Sequence, residues 1–208
     1  MEQKAMQPDH LQPSAFTLAT ARMHEVMGTG WYSFALYQAT KHNGTLFWIA
    51  PEKSNQTLLP DGLPRNVAHR LHLIRPKNER DLLWSIEETL RSSAVDLVIA
   101  EPQKPLSLTA GRRMQLAAEK GHTTGLIFVR EGQGSNACET RWKCHPLADQ
   151  YGNLTLHHWQ LIRNKRGIIG DWTVSWNGET DTINMVPSAR QRYRTQETTD
   201  HRAVRAGS

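Results

Sequence analysis

Residues 25–41, EVMGTGWYSFALYQATK, carry two glycines, Gly28 and Gly30, between an apolar run and a helix-like segment. A glycine turn opening a helix is one way proteins hold nucleotide phosphates, because backbone N–H groups and the helix N-terminus both face the anion. The phosphate-binding pattern G-x-x-x-x-G-K-[ST] also needs a lysine on the β- and γ-phosphates and a hydroxyl for magnesium. Counted from Gly28, those last three places fall on Ser33, Phe34 and Ala35. Counted from Gly30, they fall on Ala35, Leu36 and Tyr37. Both frames fail at all three, and Trp31 and Tyr32 crowd the turn. A helix N-terminus alone favours an exposed anion by about 0.3–1 kcal/mol, far too little for a magnesium triphosphate. The expectation is a degenerate nucleotide site, no ATP turnover and no cofactor.

Other candidates are weaker. Glu52 and Glu101 each follow an apolar run, where carboxylates can do acid–base or magnesium chemistry. With lysine and hydroxyl both missing, solvated carboxylates are the plainer reading. The ten histidines include no H-x-x-x-H or H-E-x-x-H, so no zinc site is expected. Cys138 and Cys144 form a C-x5-C pair that fits no common metal pattern and reads as structural. No G-x-S-x-G elbow is present. Trp142, Trp159, Trp172 and Trp176 could stack on bases, but their alternating spacing reads as core.

The elements that would position these residues alternate in type. Apolar runs at 24–28, 45–50, 71–76, 95–101 and 125–130 have strand length. Helical stretches lie at 31–40, at 78–93 behind a capping Asn78, and at 107–121 behind a capping Ser107, with Gly121 suited to that helix's end. A short helix capped by Ser14 is also expected. Continuous apolar runs separated by helices imply a parallel sheet buried on both faces. From residue 140 the pattern becomes alternating: 140–147, 156–167 and 170–179 read as antiparallel strands with one buried face.

The expected domains are a loose arm at 1–13, an α/β domain at 14–184 and a basic, disordered tail at 185–208. The chain has 208 residues, a net charge of +5 and a pI near 9.4. Five arginines and two acids between 187 and 208 place +3 of that charge in the tail. Arg190, Arg192 and Arg194 are its candidate contacts, to a partner or weakly to phosphate backbone. No apolar stretch approaches membrane-spanning length, and two cysteines fit a reducing compartment. The expected location is cytoplasmic, without membrane contact.

The order of elements resembles the RecA-like ATPase core. Locally, RSSAVDLVIAEP (91–102) is similar to the Walker B strand of RecA, and LIRNKRG (161–167) to a basic strand-turn near its C-terminal side. More closely the chain resembles the ImuA family, through HEVMGTGW, RDLLWSIEETLRS, LTAGRRMQLAAEKGHTTGLIF, TRWKCHPL and RGIIGDWTVSW. The likeness covers about residues 23–178. It implies a RecA-like three-layer core whose mainly parallel sheet is extended by antiparallel strands. It places Glu52 at the RecA catalytic carboxylate and Glu101 at the Walker B acid. It makes Arg163, Lys165 and Arg166 candidate partner or DNA contacts, and it sets the loop 132–138 near a DNA-binding loop. The implied role is a non-catalytic adaptor in damage-induced translesion synthesis and mutagenesis, nucleoid-associated when in complex. Implied partners are ImuB (a Y-family polymerase relative), RecA and an error-prone C-family DNA polymerase, with DNA contact weak or indirect. The alternatives are a SulA-like division inhibitor and an ATPase with an atypical loop.

Overall fold

Burial on both faces is what turns the apolar runs into central strands. The computed structural model describes residues 16–54, 58, 60–149, 155–167, 169–178 and 182–186. The arm 1–13, Ser14, Arg190, Arg192 and Arg194 lie outside the described residues. Five strands come from the runs: β1 (Met23–Met27), β2 (Thr45–Ile49), β3 (Leu71–Ile74), β4 (Val95–Ala100) and β5 (Thr124–Phe128). Every residue of β1 is buried. The alternating segments give β6 (Thr140–Leu147), β7 (Leu156–Asn164) and β8 (Gly170–Ser175), and a short β9 (Asn184–Val186) follows. They form one nine-stranded sheet in the order β3-β2-β4-β5-β1-β6-β7-β8-β9.

The sheet is parallel from β3 to β6 and antiparallel from there to β9. Two expectations change. β6 is antiparallel only to β7; it runs parallel to β1, with Val26 opposite Trp142. β9 carries Met185 and Val186 into what the sequence suggested was tail.

Among the described residues four α-helices cover the two faces: α1 (Trp31–Lys41), the one-turn α2 (Arg65–Ala68), α3 (Glu79–Arg91) and α4 (Leu108–Gly121). α1 packs into one core layer with Leu46, Trp48, Trp142 and Trp159, and α3 and α4 into the other with Val98 and Ile127. Asn78 Oδ1 accepts from Asp81 N (2.9 Å) and Ser107 Oγ from Ala110 N (3.1 Å), the caps their types imply. α3 buries Leu82, Ile86 and Leu90, one helical stripe. Gly121 is not the left-handed residue that ends α4; His122 is, at φ 55°. Gly121 is set by close approach, since a Cβ there would stand 2.1 Å from the Leu90 carbonyl oxygen.

β1 also buries a titratable ring. His24 Nδ1 lies 2.7 Å from Thr140 Oγ1, and Nε2 lies 3.0 Å from the Ala19 carbonyl. A carbonyl only accepts, so Nε2 carries the proton and Nδ1 accepts the hydroxyl. Burial, with smaller help from the Arg166, His42 and Arg22 charges, lowers the pKa from 6.5 to about 4. The unfolded chain therefore protonates first. His24's contribution is complete above the unfolded value and is lost as pH falls from there toward the folded one. Between pH 7 and 4.5 this costs about 2–3 kcal/mol. Burial shifts His42 and His157 the same way. Urea unfolding at both pH values should show His24→Gln losing less stability than the wild type.

Candidate functional site

In open α/β sheets the ligand crevice lies at the C-terminal ends of the strands. Here that place holds the turn Gly28-Thr29-Gly30, between β1 and α1. The turn's backbone is largely engaged by the protein itself. Gly30 N donates to the Cys144 carbonyl of β6 at 2.9 Å, and Trp31 N to Gly28 O at 3.3 Å. Gly28 has φ 89°, and a Cβ there would stand 2.3 Å from Cys144 O; one at Gly30 would stand 2.9 Å from the His145 carbonyl carbon. The glycines are required because the turn lies directly on the β6 backbone. Thr29 Oγ1 stands 3.4 Å from His145 Nδ1 across the same junction.

Aromatic rings fill what lies beyond the turn. Trp31 stacks on Phe128 at 4.7 Å between centroids, and Tyr32 on Trp48 at 5.3 Å. Phe34, at the lysine position, is fully buried between Trp142 (4.9 Å) and Trp159 (5.0 Å, edge-on). Ala35 is also buried and Ser33 half-buried. An open groove of about 610 Å³ remains beside the turn, lined by Gly28, Thr29, Trp31, Phe128, Glu131 and His145. Its wall carries one ion pair, Lys143 Nζ to Glu131 Oε1 at 2.8 Å.

The two carboxylates part company. Glu101, at the end of β4, is half-buried. Its Oε1 accepts from Trp48 Nε1 (2.7 Å) and from Tyr32 Oη (3.0 Å). Burial and the adjacent carboxylate push the Tyr32 phenol far above its ordinary pKa, so it stays a donor. Glu101 is thus tied into the aromatic wall, and a cation there would compete with two fitted donors. Glu52 follows β2 with an exposed side chain, and its backbone N–H goes to Pro76 O.

The basic strand-turn folds back on the chain. Arg163 Nη1 reaches Ser135 O (3.1 Å) and Asn136 Oδ1 (2.9 Å), and Lys165 Nζ reaches Ala137 O (2.6 Å). Arg166 Nε pairs with Glu139 Oε1 at 2.6 Å. Beneath them, fully buried Glu25 accepts from Arg141 Nε (2.6 Å) and Ser135 N (2.5 Å). These bonds fasten the loop 131–139 to β1 and β6. No local signal marks Glu25 and Arg141: a carboxylate inside an apolar strand and an arginine in an alternating one find each other only through the β1–β6 register. Cys138 and Cys144 are buried free thiols. Burial first, then Glu25, raises Cys138 well above the ordinary thiol value, and burial alone raises Cys144.

The chain is 34% identical over 99 residues to Protein ImuA of Caulobacter vibrioides, in strain NA1000 / CB15N and in strain ATCC 19089 / CIP 103742 / CB 15. The match supports membership of the ImuA family. It covers 47% of this chain and 39% of those relatives' length. No protein-family model matches. Among solved structures, the crystal structure of the RadB recombinase aligns with a TM-score of 0.60 at 14% identity, over 81% of this chain and 92% of that one. The fold is therefore RecA-like. Among the described residues no helix is long and apolar enough to cross a membrane.

Phe34→Lys places an uncompensated charge in an aromatic core, a change that costs about 3–5 kcal/mol. Urea unfolding should show that loss, and a fluorescent ATP analogue should not bind the variant. Arg141→Ala strands the Glu25 carboxylate and should cost about 3–5 kcal/mol by the same measurement, whereas the double change Glu25→Met, Arg141→Met should recover most of it.

Proposed function

We propose that this protein is a non-catalytic, RecA-like adaptor in DNA-damage-induced translesion synthesis and mutagenesis, working through protein contacts with ImuB and RecA. The observation that carries this reading is the turn seated on β6. The Gly30 N–H that would meet a phosphate is bonded to a carbonyl, and Phe34 occupies the place of the phosphate-binding lysine. Similarity to the ImuA proteins supports the mutagenesis setting. An error-prone C-family DNA polymerase is a further partner within the same proposal. Direct DNA contact is a minor part of it, because Arg163, Lys165 and Arg166 are committed to the loop 131–139 and Glu139.

Two measurements test this. The purified protein, mixed with RecA and with ImuB, should be retained by at least one of them in a pull-down; retention by neither would sink the adaptor role. Equilibrium binding of a labelled ATP analogue should show no saturable, magnesium-dependent signal. A saturable one would return the protein to the nucleotide-binding enzymes.

A further inference from the structure

One edge of the sheet is open beside an apolar groove. β3 is terminal in the strand order. Leu46 N, Ala50 N and Glu52 N donate to Arg70 O, Ile74 O and Pro76 O. Backbone groups alternate along a strand, so Leu71, Leu73 and Arg75 turn their N–H and C=O away from β2. The helix α3 stops short of this edge. Between them runs a groove of about 460 Å³, lined by Phe47, Ile74, Trp84, Glu88, Thr89 and Val95, with Glu88 paired to Arg91. Trp84, at the groove, is 65% exposed, the sign of an apolar surface that a partner could cover, whereas Leu73, 47% exposed, shares the sheet's other face with Leu71.

Charge selects the occupant. Between Arg65 and Arg80 stand five basic residues (Arg65, Arg70, Arg75, Lys77 and Arg80) and one acid, Glu79. Among the described residues none of the five forms a salt bridge. Arg70 is spent on backbone carbonyls of Asn66, Ala39 and Gly44, and the nearby Asp96 carboxylate offsets part of its charge. Glu79 holds the N–H groups of Gln103 and Lys104. A second copy of this chain would bring the same positive edge and be repelled, the usual effect of charged edge strands. We infer that the β3 edge and the α3 groove together form a docking site for an extended, acid-flanked segment of a partner protein, which adds as a strand and places an apolar side chain against Trp84. The inference rests on the adaptor reading and assigns it a surface.

The test uses the full chain and a fluorescein-labelled peptide of about nine residues, strand-forming, with a central phenylalanine and glutamates at both ends. Anisotropy should show saturable binding. Affinity should fall about tenfold when lysines replace the glutamates, and about tenfold in Trp84→Glu, which alters an exposed helix position. Leu73→Pro should weaken binding too, since it removes an outward N–H at an edge where proline is tolerated. Absence of saturable binding, or binding indifferent to both variants, would overturn the inference. So would a concentration-dependent dimer that Leu73→Pro dissolves, which would give the edge to a second copy. Peptide failure with ImuB or RecA still captured removes only this surface; ATP binding or failed capture removes the adaptor reading and leaves the peptide result legible.

Discussion

The contact on which the structure turns is the seating of Gly28-Thr29-Gly30 on the β6 backbone. One hydrogen bond, Gly30 N–H to the Cys144 carbonyl, fixes the height at which α1 leaves the sheet. At that height Phe34 enters between Trp142 and Trp159, and Trp31 lies on Phe128. A backbone N–H can serve a carbonyl or a phosphate but not both. A Cβ cannot be accommodated at either glycine. The glycine pair that resembles a phosphate loop is therefore demanded by strand-to-turn packing alone. Trp31 on Phe128, and Phe34 between Trp142 and Trp159, make the surroundings of the turn apolar and close-packed.

A polar lock on the same two strands complements this apolar wedge. Glu25 and Arg141 pair across the β1–β6 register, with Arg163, Lys165 and Arg166 stacked outward onto the loop 131–139 and Glu139. Burying Glu25 draws little net stability from its ion pair, because desolvation offsets the attraction. What the arrangement supplies is register: carboxylate and guanidinium must meet at one alignment of β1 on β6. That alignment also brings Val26 opposite Trp142 and Cys144 beneath the turn. The wedge and the lock thus depend on one strand pairing.

Much of the fold was legible because its signals are local. Continuous apolar runs marked the five central strands, Asn78 and Ser107 marked helix starts, and the alternation of Trp142 and Cys144 with Arg141 and Lys143 marked a strand buried on one face. What escaped depends on residues far apart in sequence. Alternation gives the face of β6 and not its direction, so its parallel pairing with β1 was invisible. One turn at Arg65–Ala68 has no period to read. Gly121 looked like a helix terminator, but its reason is a carbonyl of α3 lying against it. At the site, Phe34 and Ala35 were readable as departures from the phosphate-loop pattern, while the role of Glu101 as acceptor for Tyr32 and Trp48 was not. An acceptor's partners are set by the strand order β2-β4, which no short motif encodes.

The tryptophans show where this reorganisation leaves room for recognition. Trp31, Trp48, Trp142, Trp159 and Trp176 are buried, and Trp172 packs against the same layer. Each lies on α1, on a strand or at a strand's end, and together they build one aromatic layer. Trp84 differs, standing 65% exposed on the opposite layer. Exposing an indole to water costs roughly what burying it would return, a few kcal/mol. A fold that encloses its other indoles in one aromatic wall has the means to cover this one, yet leaves it at the step between α3 and an unpaired strand. The β3 edge combines outward backbone groups, a neighbouring apolar groove and an excess of basic residues within one short stretch of chain.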